Sequence, residues 1–432
     1  MAFKLLLLLP RTQRATSLQL AAACCLVLAL HLLPLSGHAA TVVTRLPGFD
    51  GPLPFSLETG YVSIDEDTGA ELFYYFVESE RSPATDPVFL WLTGGPRCSG
   101  FCGVAFEIGP INFVVEPYDG TLPRLVYNPD SWTRAASVLF LDSPVGTGFS
   151  YARDPQGYDV GDISSSRQVV TFLRKGYLVG NPVTGEKIDM NSRIPYAHSH
   201  GIISDQQYEA AMANCKGDYV PTNKLCADVL QTIGDLMSEV NKDDILAPTC
   251  PFDSPKQGRD SLTRRALAEE HYYRLSGPPE EHSSPCFEYR FYLSYFWAND
   301  NATRAALGIK EGTVTEWVRC KRSGFPYTYD FHSSIKYHFN LTTRGYRLLV
   351  YSGDHDLIVP FSGTHAWIRS FNFSIVDDWR AWHLDGQAAG FTIKYANDLT
   401  FATVKGGRHT APGNRPKECL AMAKRWLHNE HL

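Results

Sequence analysis

The chain is more easily bounded by what it lacks. It has no excess of positive charge: 40 Lys and Arg stand against 46 Asp and Glu, a net of −6. No basic stripe tracks a phosphate backbone, which excludes nucleic acid as a partner. After the first 40 residues there is no run of 18 apolar residues, so no membrane-spanning helix is expected there. No internal repeat and no low-complexity tract occurs, which excludes solenoids and disordered tails. Cys98 and Cys102 have loose ligand spacing, but no second pair or His partner completes a knuckle. No metal and no cofactor are expected. What is present is ordinary for a packed protein: 44% apolar, 12% aromatic and 20% charged residues, with 34 Gly and 27 Pro. One large domain with an insert is expected.

Residues 1–40 hold Lys4, Arg11 and Arg14 and no acid, then an apolar run from Leu18 to Leu33, then Ser36-Gly-His-Ala-Ala40. This is the pattern of a secretory signal peptide, cleaved after Ala39 or Ala40. Cleavage leaves 37 basic against 46 acidic residues, a net of −9, and no membrane attachment. Eight cysteines remain, an even number that in a secreted chain points to disulfides. Three sequons, at Asn301, Asn340 and Asn372, fit glycosylation on the same route. The expected destination is the cell exterior or a vacuole.

Tyr61–Ile64 and Leu72–Val77 flank a turn-forming Asp65–Gly69 and are expected as an antiparallel hairpin. Four later runs are short and almost wholly apolar, and each ends near glycine or a polar residue: Val88–Leu92, Val138–Leu141, Leu348–Tyr351 and Phe401–Val404. Such runs suit strands buried on both faces of a parallel sheet, with the ligand site off their carboxyl ends. The fold class is therefore α/β. From about 177 to 340 the chain turns polar, carries five of the eight mature cysteines and shows helical fragments at Gln206–Asn214 and Lys224–Glu239. This span reads as a disulfide-pinned, mainly helical insert in a domain covering 41–432.

Asp356 and His409 each lie in the loop after one of the last two apolar runs. A histidine so placed takes a proton from a hydroxyl, and a carboxylate on its other nitrogen fixes tautomer and charge. Gly94 and Gly95, directly after Phe89–Thr93, can bring backbone N–H groups close to a ligand.

Trp91–Gly100, Leu141–Ala152, Tyr351–Asp356 and Lys405–Pro412 resemble, in order, the signature blocks of plant serine carboxypeptidase-like proteins. The resemblance implies an α/β-hydrolase fold, a catalytic role for Asp356 and His409, and the Gly95 amide as half of an oxyanion hole. It implies disulfides joining Cys98 to Cys320, Cys215 to Cys226 and Cys250 to Cys286, with Cys102 and Cys419 left unassigned. It also implies release of C-terminal residues from peptides, or acyl transfer from a sugar ester; Thr93, where peptidases of the family have Asn, resembles the acyltransferase branch. Two arginines depart from the pattern: Arg97 and Arg408 stand where the family has glycine, adding bulk and charge near the site.

The largest departure is an absence. The family's nucleophile sits in a Gly-x-Ser-x-Gly turn between a helix, which here begins at Ser164–Lys175, and Gly176–Pro182, and no Gly-x-Ser-x-Gly exists in the 432 residues. A central strand and its following helix are expected to be deleted with it. Loss of the nucleophile costs about 10⁶ in turnover in a related triad, so this chain is expected to be inactive or a binding glycoprotein. Loss of the strand leaves backbone groups unpaired, at roughly 1–3 kcal/mol for each that is buried unsatisfied.

Overall fold

The computed structural model describes residues 40–169, 176–221, 223–250, 286–321 and 327–432. The expected signal peptide, apart from Ala40, lies outside them, as does the end of the expected Ser164–Lys175 helix, described over Asp162–Val169. No helix of the described residues is long and apolar enough to cross a membrane.

Residues from Ala40 onward form one unit built on two five-stranded sheets. The strands in chain order are β1 (Thr41–Val43), β2 (Leu57–Asp65), β3 (Ala70–Val77), β4 (Val88–Leu92), β5 (Ile111–Phe113), β6 (Leu125–Tyr127) and β7 (Ser137–Leu141), then β8 (Val160–Gly161), β9 (Gly176–Gly180), β10 (Tyr327–Thr328), β11 (Arg347–Gly353), β12 (Ile375–Leu384), β13 (Gln387–Tyr395) and β14 (Leu399–Val404). The first sheet runs β1-β2-β3-β7-β4 and the second β12-β13-β14-β11-β9. The expected hairpin is β2 with β3, paired antiparallel. The four apolar runs are β4, β7, β11 and β14. β4 lies parallel to β7, and both β14 and β9 lie parallel to β11. One apolar core spans the two sheets, with Phe73, Tyr75 and Phe140 of the first in the same cluster as Leu349, Tyr351 and Val404 of the second.

Among the described residues, β4 and β9 each end a sheet, with a neighbour on one side only. The expectation that β4 is buried on both faces therefore fails. Val88 is 66% and Leu92 46% exposed, at the two ends of a strand with no described neighbour on one side, while Leu90 between them packs against the core. β11, flanked on both sides, is buried from Leu348 to Gly353.

Within the 177–340 span, the helix Asp205–Cys215 starts at a capping box formed by Ser204 and Gln207, and the helix Lys224–Ser238 starts from Asn223, whose side chain accepts from the Cys226 amide. The Cys215–Cys226 disulfide clasps the two. Cys98–Cys320 and Cys250–Cys286 are formed as expected, and Cys102 and Cys419 are buried free thiols. Burial pushes the Cys102 thiol up to about 12, which makes it a poor nucleophile.

Candidate active site

The site is built where β11 and β14 end together. Their parallel register pairs Gly353 with Val404, so the loops that follow emerge side by side. Gly353 is required there, since a Cβ would come within 2.3 Å of the carbonyl oxygens of Gly407 and Arg408. The first loop carries Asp356, fully buried, and the second carries His409, whose ring is 30% exposed. His409 Nδ1 lies 2.8 Å from Asp356 Oδ2. The same oxygen accepts from Asn181 Nδ2 at 2.8 Å. The other accepts from the amides of Ile358 at 2.7 Å and Val359 at 3.1 Å. Four donors thus fix the carboxylate, which in turn fixes the ring. Burial opposes charge on His409, but the hydrogen bond and charge of Asp356, helped by Asp243, outweigh it and raise the imidazole above its ordinary value, against the pull of Arg408.

Asn181 went unnoticed in the sequence, although it follows the strand-like Gly176–Gly180 directly. Its φ of 42° turns the chain at the end of β9. Its amide donates to the Tyr351 carbonyl at 2.8 Å, and its Oδ1 accepts from the Gly353 amide at 3.3 Å. A strap at Lys242–Ile245 completes the support: His409 donates its amide to the Asp243 carbonyl (2.7 Å), Leu357 to Lys242 (3.0 Å), and Ile245 to His355 (3.1 Å). Arg408 does not crowd the dyad. Its guanidinium stacks 4.2 Å over the Phe287 ring, pairs with Glu288 and lies 3.6 Å from Asp243, joining both segments to the His409 loop.

The other half of the site follows β4. Gly94 and Gly95 are exposed. Gly95 has φ 148°, and a Cβ there would meet Cys98 Sγ at 2.8 Å. The Gly95 amide donates to no group among the described residues, leaving it available to an oxyanion. The Thr93 hydroxyl is buried with no hydrogen-bond partner among the described residues. Glu107, a lone acid in the apolar stretch Phe101–Phe113 that sequence reasoning passed over, joins the halves. Burial pushes it up to about 7, while Arg319, His409 and Trp91 pull the other way, so it interacts with both the β4 side and the histidine loop.

Chemically, the dyad can hold a proton and stabilise the charge. His409 Nε2 has no hydrogen-bond partner among the described residues, so no hydroxyl is seen to be activated. The three sequon asparagines are all exposed.

The serine carboxypeptidase family profile matches residues 47–175 and 174–429, in two pieces that meet at residues 174–175. The Arabidopsis thaliana serine carboxypeptidase-like 19 protein is 41% identical over 91% of this chain and 95% of its own length. Serine carboxypeptidase-like 2 of the same plant is 40% identical over 94% of this chain and 97% of its own. The latter alignment has 460 positions but takes in about 406 of the 432 residues here, leaving about 54 at which the relative has residues and this chain none. Among solved structures, the prohormone-processing carboxypeptidase Kex1(delta)p of Saccharomyces cerevisiae superposes with a TM-score of 0.65 at 16% identity, covering 90% of this chain and 95% of that one. The fold is that of the α/β hydrolases.

Proposed function

We propose, from the premise that the chain belongs to the serine carboxypeptidase family, that it is a non-hydrolytic member in which the acid and base are kept and the nucleophile is gone. The observation that carries this reading is His409 Nε2, which meets no hydroxyl among the described residues, in a chain without Gly-x-Ser-x-Gly. The break in the family match at 174–175 and the free sides of β4 and β9 support a deletion between those strands. Without the turn, the second oxyanion donor is also lost, so the residual catalysis of about 10³–10⁴ that survives loss of triad side chains shrinks as well. A fluorophosphonate probe applied to the pure protein should label nothing; stoichiometric labelling of any serine overturns the reading.

A second reading concerns a longer product of the same gene that retains the turn. There Asp356 and His409 would serve a serine attacking a peptide or an acyl-glucose ester, and the unpartnered Thr93 hydroxyl beside Gly94-Gly95 favours the ester. Assaying that product on a dipeptide and on a hydroxycinnamoyl-glucose ester separates the two. Passage through the secretory route, supported by three disulfides and three exposed sequons, is tested by a mobility shift on deglycosylation.

A further inference from the structure

Asp356 is aimed at His409 by the shape of its own loop, and side chains outside the dyad impose that shape. Its Oδ1 accepts from the amides of Ile358 and Val359, which closes residues 356–359 into a turn. The turn decides where Oδ2, the atom that meets His409, points. Two side chains of the helix Arg193–Ser199 grip its flanks. Arg193 donates from Nε to the Ile358 carbonyl at 2.8 Å, and Tyr196 donates its hydroxyl to the Asp354 carbonyl at 2.6 Å. Three residues apart, they share a helix face, and the two carbonyls they hold lie two residues before and two after Asp356. The Lys242–Ile245 strap takes the groups between them, the His355 carbonyl and the Leu357 amide.

The grip is electrostatic as well as geometric. Burial lowers the Arg193 guanidinium, and the charges of Asp356 and Asp189 oppose that. Asp189 is itself committed, since its Oδ2 accepts from the amides of Thr184 and Gly185 at 2.7 and 2.9 Å. Burial first, then the charges of Asp354, Asp356 and Asp244, push the Tyr196 hydroxyl up, so it stays a donor. The His409 ring is faced by Asp356, Asp243 and Arg408, and by Glu107. Arg193 makes no hydrogen bond or ion pair with that ring among the described residues, so its influence on the imidazole passes through Asp356. Groups that must be held in a productive geometry depend on such supporting contacts.

We propose that Arg193 and Tyr196 are positioning residues, which hold the Asp356 turn so that Oδ2 stays on His409 Nδ1. The proposal concerns the dyad alone and needs no nucleophile, so it stands or falls apart from the reading above. The test is NMR of the whole chain carrying isotopically labelled histidine, titrated with pH, with the His409 signals assigned by their loss in His409→Gln. In the parent, His409 should titrate above the ordinary histidine value of about 6.5 and show a downfield Nδ1 proton from its bond to Asp356. Arg193→Ala should lower that midpoint towards the ordinary value and weaken the downfield signal. Tyr196→Phe should do the same to a smaller extent, and Arg193→Lys, which keeps a charged donor, should retain most of both. An unaltered titration in a folded Arg193→Ala assigns the residue to fold stability alone and overturns the proposal. A raised midpoint does so too, since loss of a cation acting only at a distance favours the imidazolium. Should Arg193→Ala fail to fold, Tyr196→Phe, which removes a single oxygen, decides by the same signals: a lowered midpoint upholds the proposal, and an unmoved one overturns it.

Discussion

The two sheets differ in how much of their end of the site survives. The second sheet holds its part complete: Asp356 has four donors, His409 is oriented, and Asn181 at the end of β9 braces both. The first sheet offers an open strand, with Val88 and Leu92 in solvent and the Gly95 amide uncommitted. Each half is positioned by its own strand ends and local hydrogen bonds, so the acid–base machinery does not need the segment between β4 and β9 in order to assemble. On the reading proposed above, catalysis does need it, because that is where the attacking oxygen and the second oxyanion donor belong.

The sharpest way to break the comparison is to close the gap. Inserting between Lys175 and Gly176 a strand and helix joined by a Gly-x-Ser-x-Gly turn should, on the proposed reading, pair β4 and β9 on both sides. It should also take fluorophosphonate labelling from none to one per chain. A second insert with its serine changed to alanine should stabilise the fold without labelling. If the first insert folds and stays unlabelled, the dyad is not competent and the equivalence of the two halves to an intact site is lost.

Next in size is Glu107, which joins the halves. A carboxyl raised from 4.5 to about 7 on folding releases its proton first in the unfolded chain, so stability falls as pH rises from about 4.5 to 7. The cost at and above neutrality is roughly 3 kcal/mol. Glu107→Gln should match the parent below pH 4.5 and exceed it by up to that amount above pH 7, in urea unfolding followed across the range. The dyad histidine contributes with the same sign and further up the scale: its raised value gives stability that is full below about 6.5 and is lost as pH climbs past it. His338 and His365 act oppositely, since burial lowers both to about 4 and their stability is lost on acidification. The difference between Glu107→Gln and the parent isolates the one group from the other three.

The open strand itself predicts self-association. Exposed strand edges pair with other chains unless a charge or a bulge blunts them. Val88→Lys places a charge on the most exposed position of β4 and should raise the concentration at which light scattering appears, while changing stability by no more than about 0.5 kcal/mol. An unchanged aggregation threshold would show that association, if any, uses another surface.

Much of this was legible in the sequence. β4, β7, β11 and β14 are apolar runs closed by polar or glycine residues, and their ends differ from expectation by at most two residues. Asp356 and His409 followed from their shared place after two such runs, and the disulfides from the family resemblance. Other features had local signals that were passed over. Asp385-Gly386, both at positive φ, turns β12 into β13 as a two-residue hairpin loop. The exposure of β4 and the place of Glu107 depend on what lies beside them in space, which a run of residues does not encode. Arg408 looked like an intruder because its ring stack and ion partner come from residues 287 and 288, far along the chain.

The two arginines that stand for glycine divide the same way as the two sheets. Arg408 has a backbone outside the left-handed region and holds Glu288, Asp243 and the Phe287 ring through its guanidinium, so restoring glycine there should only destabilise. Arg97 sits at φ 67°, where a side chain costs about 1–2 kcal/mol relative to glycine, yet it donates hydrogen bonds to the carbonyls of Val145 and Tyr158, worth about 0.5–1.5 kcal/mol each. These terms nearly cancel, so Arg97→Gly should move the unfolding midpoint little, by the equivalent of about 1 kcal/mol or less. A variant that loses several kcal/mol would show that Arg97 is structural on the first-sheet side as Arg408 is on the second, and the contrast between them would dissolve.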